Sequence, residues 1–230
     1  MSDRTKNDFC GALLVGEVIA GKPRAALVRG AKWNPGDRIE VCFLDGVPSV
    51  QEKVKTFAKE WTAPGLADLR FVFRRKPAAT PIRISFKYPG NWSAIGKECF
   101  SPPYTDATQP TMNFGGFGED TPDERIRAVV LHEFGHALGL THEHMSPAAG
   151  IHWNEEQVYA DLSGPPNHWS REIIRKNIFE VREDTNYTTF DPSSIMLYRI
   201  KKSWNFDGLE IGWNNDLSPT DKAFIRQQYP

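Results

Sequence analysis

Residues 131–142 read LHEFGHALGLTH, and the spacing within this run fixes how the chain must fold around it. Side chains four apart on a helix share a face, so His132 and His136 can offer two imidazoles to one metal ion. Glu133 stands one position round from the first histidine, where it can reach a metal-bound water without binding the metal. Gly139 is the residue type that leaves a helix through a left-handed conformation, which turns His142 back toward the same ion. Three neutral imidazoles with an open fourth position are what a catalytic Zn2+ requires. A structural zinc site would close its shell with a fourth protein ligand, often Cys, and would have no use for Glu133.

Upstream of this run, Thr121 reads as an N-cap, Pro122 as the first helical residue and Glu124 as the closing member of a capping box. Ile126, Val129, Val130, Phe134, Ala137 and Leu138 supply the apolar faces of that helix, which should stop at Gly139. Further toward the N-terminus, IEVCFL (39–44), LRFVF (69–73) and IRISF (82–86) alternate as strands do. Between the first two, Val50, Val54, Phe57, Ala58 and Trp61 fall at helical spacing. The expected class is α+β: a twisted mixed sheet with two main helices above a zinc cleft. Residues 89–118 are rich in Gly, Pro and aromatics, and TMNF (111–114) is the expected edge strand. The half after the motif reads as loop-rich, with Trp153, Trp169, Trp204 and Trp213 as core or wall residues. Ser218, Pro219 and Asp221 predict a closing helix over 219–228, packed through Ala223, Phe224 and Ile225.

The chain has 230 residues, enough for one substantial core and short for two independent domains. Residues 1–32 read as an N-terminal extension or pro-like segment. Residues 33–230 read as a single catalytic domain, divided at residue 139 into two subdomains. A net charge of -1 gives no general attraction to nucleic acid or anionic membrane, so neither is an expected partner, and a monomer is expected. No apolar run is long enough to span a bilayer. Residues 1–21 do not read as a secretory signal, because Glu17 interrupts a short apolar stretch and Asp3 and Asp8 precede it. The expected location is cytoplasmic, or outside the cell by a non-classical route or after removal of a leader. The 3 cysteines, Cys10, Cys42 and Cys99, allow at most one bridge.

The pattern H-E-x-x-H-x-x-G-x-x-H resembles the signature of the metzincin metallopeptidases. Glu143 directly after the third histidine and SSIMLY at 193–198 resemble the astacin branch. DLSPTD before the last helix is similar to that family's C-terminal end, so the resemblance spans residues 33–230. It implies that Met196 is the methionine of a tight turn beneath the metal and that Tyr198 is a mobile tyrosine acting on the reaction. Gly139, Met196 and Glu143 then support the site. Animal members carry two disulfides that this cysteine count cannot supply, which points to a microbial relative without bridges. Leu197 stands where the family usually has His.

The implied activity is that of a zinc endopeptidase: hydrolysis of peptide bonds, with Glu133 as general base and a protein or peptide substrate bound extended along the edge near residues 111–114. Two other readings stand beside it. One is a zinc-binding interaction module without peptidase activity. The other is a latent zymogen blocked by its N-terminal segment, with Cys10 as a switch ligand in the water position. His144 is expected near the site or at the surface rather than on the metal. His152 and His168 are expected to face solvent or to be locally hydrogen-bonded.

Overall fold

The strand on which the N-terminal half is assembled is RIEVCF, β2, which follows β1 (Leu27–Val28) in the chain. In this computed structural model residues 27–75, 80–165, 167–181, 185–186 and 189–230 are described; Cys10 lies outside them. β2 (Arg38–Phe43) alternates exposed Arg38 and half-buried Glu40 with buried Ile39 and Val41, and pairs in parallel with β3 (Arg70–Arg74) and β4 (Ile82–Ser85). Two short strands complete the sheet, β5 (Asn91–Ser93) and β6 (Met112–Phe114), in the order β3-β2-β4-β6-β5. β4 and β6 are parallel, whereas β5 runs antiparallel to β6.

That order corrects one expectation. The strand within TMNF is an inner one, paired on both sides, and the edge beyond it is β5, with β3 at the opposite edge. Asn91, Trp92 and Ser93 are too few to show an alternating pattern, and Gly90 just before them reads as a turn.

Two helices cover the sheet. α1 (Pro48–Ala58) begins on a proline, whose missing N–H has no partner to lose in a first turn, and buries Val50, Val54 and Ala58 at four-residue spacing. Trp61, in the tight turn that follows, is buried and donates its indole N–H to the Leu131 carbonyl at 2.8 Å. α1 packs on α2 (Asp123–Ala137), which carries the first two histidines. Phe134 of α2 meets Phe71 edge to face at 5.0 Å in the main core. Fully burying a side chain of this kind stabilises by about 1.5–3 kcal/mol.

The start of α2 differs from expectation. Its N-cap is Pro122 and no side chain caps it. Thr121 instead accepts the Gly118 N–H at 2.9 Å, one turn earlier, and Glu124 accepts a hydrogen bond from Asn215. Asp123 and Glu124 still place negative charge in the first turn, where the helix dipole favours it.

The other end of α2 is tightly closed. Gly139 takes φ +96°, its N–H bonds the His136 carbonyl and the Leu140 N–H bonds the Gly135 carbonyl. This 6→1, 5→2 pair satisfies two carbonyls that a helix end would otherwise orphan. The next two are met by distant residues: Trp33 donates to Ala137 at 2.8 Å and the Tyr229 hydroxyl to Leu138 at 2.5 Å. Residues from both flanks of the domain therefore clamp the helix that carries the site.

Residues 155–230 hold more helix than their sequence suggested. α3 (Glu155–Ser163) starts at Asn154, whose side chain accepts from the Gln157 N–H; α4 (Arg171–Ile174) starts at Ser170, which caps in the same way. A two-residue strand, β7 (Thr185–Asn186), pairs antiparallel with β1. A second core gathers Val158, Leu162, Trp169, Ile178, Tyr198 and Trp204. α5 (Pro219–Gln228) closes the chain with a full capping box between Ser218 and Asp221. Ile225 is buried and Phe224 half-buried as expected, but Ala223 faces outward, and Tyr229 takes the packing role instead.

Leu27 is fully buried and forms a bridge with Leu140, and a Cβ on Gly96 would stand 2.1 Å from the Ala31 carbonyl. Leu27 and Ala31 thus pack closely against the residues around the motif helix and residues 95–96. Cys42 and Cys99 are both free and buried; burial pushes the Cys99 thiol up to about 12.

Candidate metal centre and cleft

His132, His136 and His142 come together as expected, and among the described residues they form the one group able to hold a metal ion. His136 Nε2 lies 3.2 Å from His132 Nε2 and 3.2 Å from His142 Nε2. The donor set can be tested for fit. His132 Nδ1 meets the Ile195 carbonyl at 2.7 Å and His136 Nδ1 meets the Leu140 carbonyl at 2.9 Å. A carbonyl only accepts, so both Nδ1 atoms carry the proton and both Nε2 atoms present lone pairs. Burial holds His132 neutral, its pKa lowered to about 4. Lone pairs facing one another at 3.2 Å repel unless a cation lies among them. Neutral imidazoles oriented by carbonyls on their other nitrogen are the ligands zinc takes. The residues present fit one Zn2+.

Gly139 sends the chain back so that His142 closes the group, and the Glu143 N–H then bonds the Met196 carbonyl at 3.1 Å. The turn over residues 193–198 is held from below by Asp221, which accepts from Ser194 Oγ at 2.7 Å and from the Ile195 N–H at 2.9 Å. One carboxylate therefore caps α5 and fixes the carbonyl that orients His132. Met196 is buried in the main core, its sulfur against Gly135 between the two helical histidines. Glu143 accepts the Asp191 N–H at 3.2 Å. Burial, with the charges of Asp221 and Asp191 adding, pushes its pKa up to about 7 against that hydrogen bond.

Glu133 is buried and lines the cleft with His132 and Tyr198. The Tyr198 ring lies 4.1 Å from the His142 ring and 6.1 Å from that of His132. His144 is not part of the three-histidine group. It is buried behind Tyr198 at 4.9 Å between rings and donates Nε2–H to the Asn177 carbonyl. His152 and His168 are exposed, and His152 pairs with Asp207. Asn91 on the edge strand and Asn214 from the loop before α5 went unread in the sequence, and Trp213, expected as a core or wall residue, stands with them in the lining of the cleft. They come from stretches with no periodicity, and only the fold brings them to the histidines.

Comparison with known proteins agrees with this geometry. The solved structure titled "Structure of myroilysin" superposes with a TM-score of 0.84 at 39% identity, over 90% of this chain and 98% of the other. A second, "Crystal structure of myroilysin", gives 0.66 at 37% identity, covering 90% of each chain. High choriolytic enzyme 1, a hatching enzyme zinc-protease from the medaka fish Oryzias latipes, shares the fold at TM-score 0.55 and 16% identity, over 90% of this chain and 94% of that one. No family model matches the chain, and no curated protein does. With its motif, its fold and a solved relative at 39% identity along nearly the whole length, the chain belongs to the astacin-like metzincin zinc metallopeptidases.

Proposed function

We propose that the chain is a zinc endopeptidase in which Glu133 is the general base and Tyr198 supports the developing negative charge. The observation that carries this reading is the convergence of three imidazole ring nitrogens, two of them fixed as lone-pair donors, beside a buried carboxylate in an open cleft. His132, His136 and His142 would hold the metal. Held there, zinc would lower the pKa of a water from about 15.7 toward 7 and would polarise a carbonyl oxygen. Glu133 accepts a proton from the attacking water and passes it to the departing amine. The Tyr198 hydroxyl donates to the carbonyl oxygen as that oxygen gains charge.

Substrate binding follows from the corrected sheet order. Among the described residues β5 has a partner strand on one side only, which leaves its outer edge for an extended peptide that adds a strand. Asn91 belongs to both β5 and the cleft, so such a peptide would pass the histidines.

The test is Glu133→Ala. It should keep about one zinc per chain and lose peptidase activity by on the order of 10²-fold or more, the usual scale for a general base. Retained turnover would remove Glu133 from the mechanism. A zinc-loaded wild type that cleaves no peptide would return the chain to the reading of a zinc-binding module.

A further inference from the structure

Of the four histidines between residues 132 and 144, the hydrolytic chemistry leaves His144 without a task. It is buried two residues past His142, outside the three-histidine group and outside the lining of the cleft. Its ring forms a close triangle with two others. It lies 4.9 Å from the Tyr198 ring at an interplanar angle of 29° and 5.4 Å from that of His142 at 13°. Tyr198 and His142 are themselves 4.1 Å apart, and Trp153 meets His144 edge to face at 6.0 Å.

The plane of this ring is set from the helix that gives Ile174 and Ile178 to the second core. His144 Nε2–H donates to the Asn177 carbonyl at 2.9 Å. Asn177 stands in a π turn, Arg175–Phe179, that widens the end of α4 and is closed by the Glu180 N–H on the Arg175 carbonyl at 3.0 Å. Such single wide turns are frequent at functional sites. The last carbonyls of a helix have no partner along it, so His144 caps this one. The Asn177 side chain is tied back as well, donating to the Ile173 carbonyl at 2.9 Å.

Capping accounts for the Nε2–H and for nothing else about His144. Its Nδ1 is buried without a hydrogen-bond partner, which is unfavourable for a polar atom. A ring that only filled space would be better made of carbon, and a cap alone would need no ring. An imidazole supplies both at once: a flat face against Tyr198, held in one orientation by a hydrogen bond to a distant helix. We infer that His144 is a positioning residue for Tyr198, fixing the ring plane from which the tyrosine hydroxyl meets the substrate oxygen. This rests on the role proposed above for Tyr198. His144 acts through the tyrosine alone, and placement of that kind matters, since a shift of about 1 Å can cost on the order of a hundredfold in rate.

The test is steady-state kinetics of the zinc-loaded full chain on one defined peptide. His144→Phe keeps the ring and drops the bond to Asn177; His144→Gln keeps a donor and drops the ring. Each should lower kcat by about tenfold or more with KM little changed and zinc near one per chain. In a Tyr198→Phe background neither should lower kcat further, because the hydroxyl they place is already gone. Should His144→Phe fail to fold, His144→Gln retains the cap and carries the test. Full kcat in either folded variant overturns the inference, and a lowered Tm with full kcat reduces His144 to a cap. A loss that persists undiminished in Tyr198→Phe also overturns it, as does loss of zinc, which would place the effect on His142. If Tyr198→Phe alone leaves kcat unchanged, the role of Tyr198 fails and this inference with it, while the Glu133 mechanism stands.

Discussion

The sulfur of Met196 sits in the space a side chain at Gly135 would need: a Cβ there would stand 2.3 Å from Met196 Sδ and 3.1 Å from Trp61 Cζ2. Gly135 lies within the histidine motif itself, in mid-helix, where glycine costs about 1 kcal/mol relative to Ala. The helix accepts that penalty, and the turn over residues 193–198 can then press directly on α2. The close approach brings the Ile195 carbonyl to His132 Nδ1. Gly135 and Met196 are thus one device, which sets the height of the turn beneath the metal ligands.

Gly135→Ala should therefore lower stability despite its better helix propensity. Overpacking typically costs about 1–3 kcal/mol, against a propensity gain of about 1. In a Met196→Ala background the 2.3 Å contact is gone and the 3.1 Å contact with Trp61 remains, so the same substitution should cost clearly less than in the wild type. Thermal denaturation of the four proteins measures the coupling. Equal shifts in both backgrounds would show that the two residues do not compete for space.

The clamp on the C-terminal end of α2 gives a second expectation. Tyr229→Phe removes the hydroxyl that serves the Leu138 carbonyl and leaves a buried acceptor without that donor. The expected cost is about 1–3 kcal/mol. In a chain of this size that lowers Tm by roughly 2–4 °C per kcal/mol. Zinc stoichiometry should stay near one per chain, since no ligand is touched. Calorimetry and metal analysis on the same sample check both halves.

The parts of this molecule legible in the sequence are those whose signal is local. His132, His136 and His142 declare themselves through helical spacing and one glycine. The strands over 38–43 and 70–74 and helices α1 and α5 show through apolar period and capping chemistry. Misread features depended on partners far along the chain. β5 is three residues long and becomes an edge only because β6 lies between it and β4. The hydroxyl of Thr121 goes to Gly118 rather than into α2. Helix α3 was missed although Asn154, two glutamates in its first turn, and Val158 and Leu162 four apart were there to be read. Trp213 could not have been placed, because its position depends on Arg127 and Asn215, 88 residues apart.

Glu143 gives a pH dependence with a definite sign. Its folded pKa of about 7 lies above the ordinary 4.5, so folding favours its protonated form. The stability it contributes is whole below about pH 4.5 and is lost as pH rises through 7. In metal-free protein Glu143→Gln lacks this loss, so its stability relative to wild type should rise across that window. At 1.36 kcal/mol per unit, the change is on the order of 3 kcal/mol. His132 and His144, both lowered to about 4 by burial, act in the opposite direction, losing stability as pH falls from about 6.5. They are common to both proteins and cancel in the difference. Urea denaturation in chelator between pH 4.5 and 8 checks it, and a flat difference would place the Glu143 carboxyl in water.

Tyr198 offers the sharpest division between chemistry and scaffold. Its ring is buried between the second core and the metal-site histidines, 4.1 Å from His142 and 4.9 Å from His144. Those ring contacts need no hydroxyl, so Tyr198→Phe should preserve both folding and zinc content. If the hydroxyl donates to the substrate oxygen as charge develops, its loss falls on the transition state and leaves ground-state binding nearly intact. Removing one such donor typically costs about 2.7–4 kcal/mol, so kcat should fall by roughly a hundredfold or more with KM little changed. A purely structural tyrosine would show the reverse pattern, with Tm lowered and kcat retained. A rise in KM at constant kcat would make the hydroxyl a substrate-binding group. The measurement is steady-state kinetics on one defined peptide, with zinc content and Tm recorded for the same preparations.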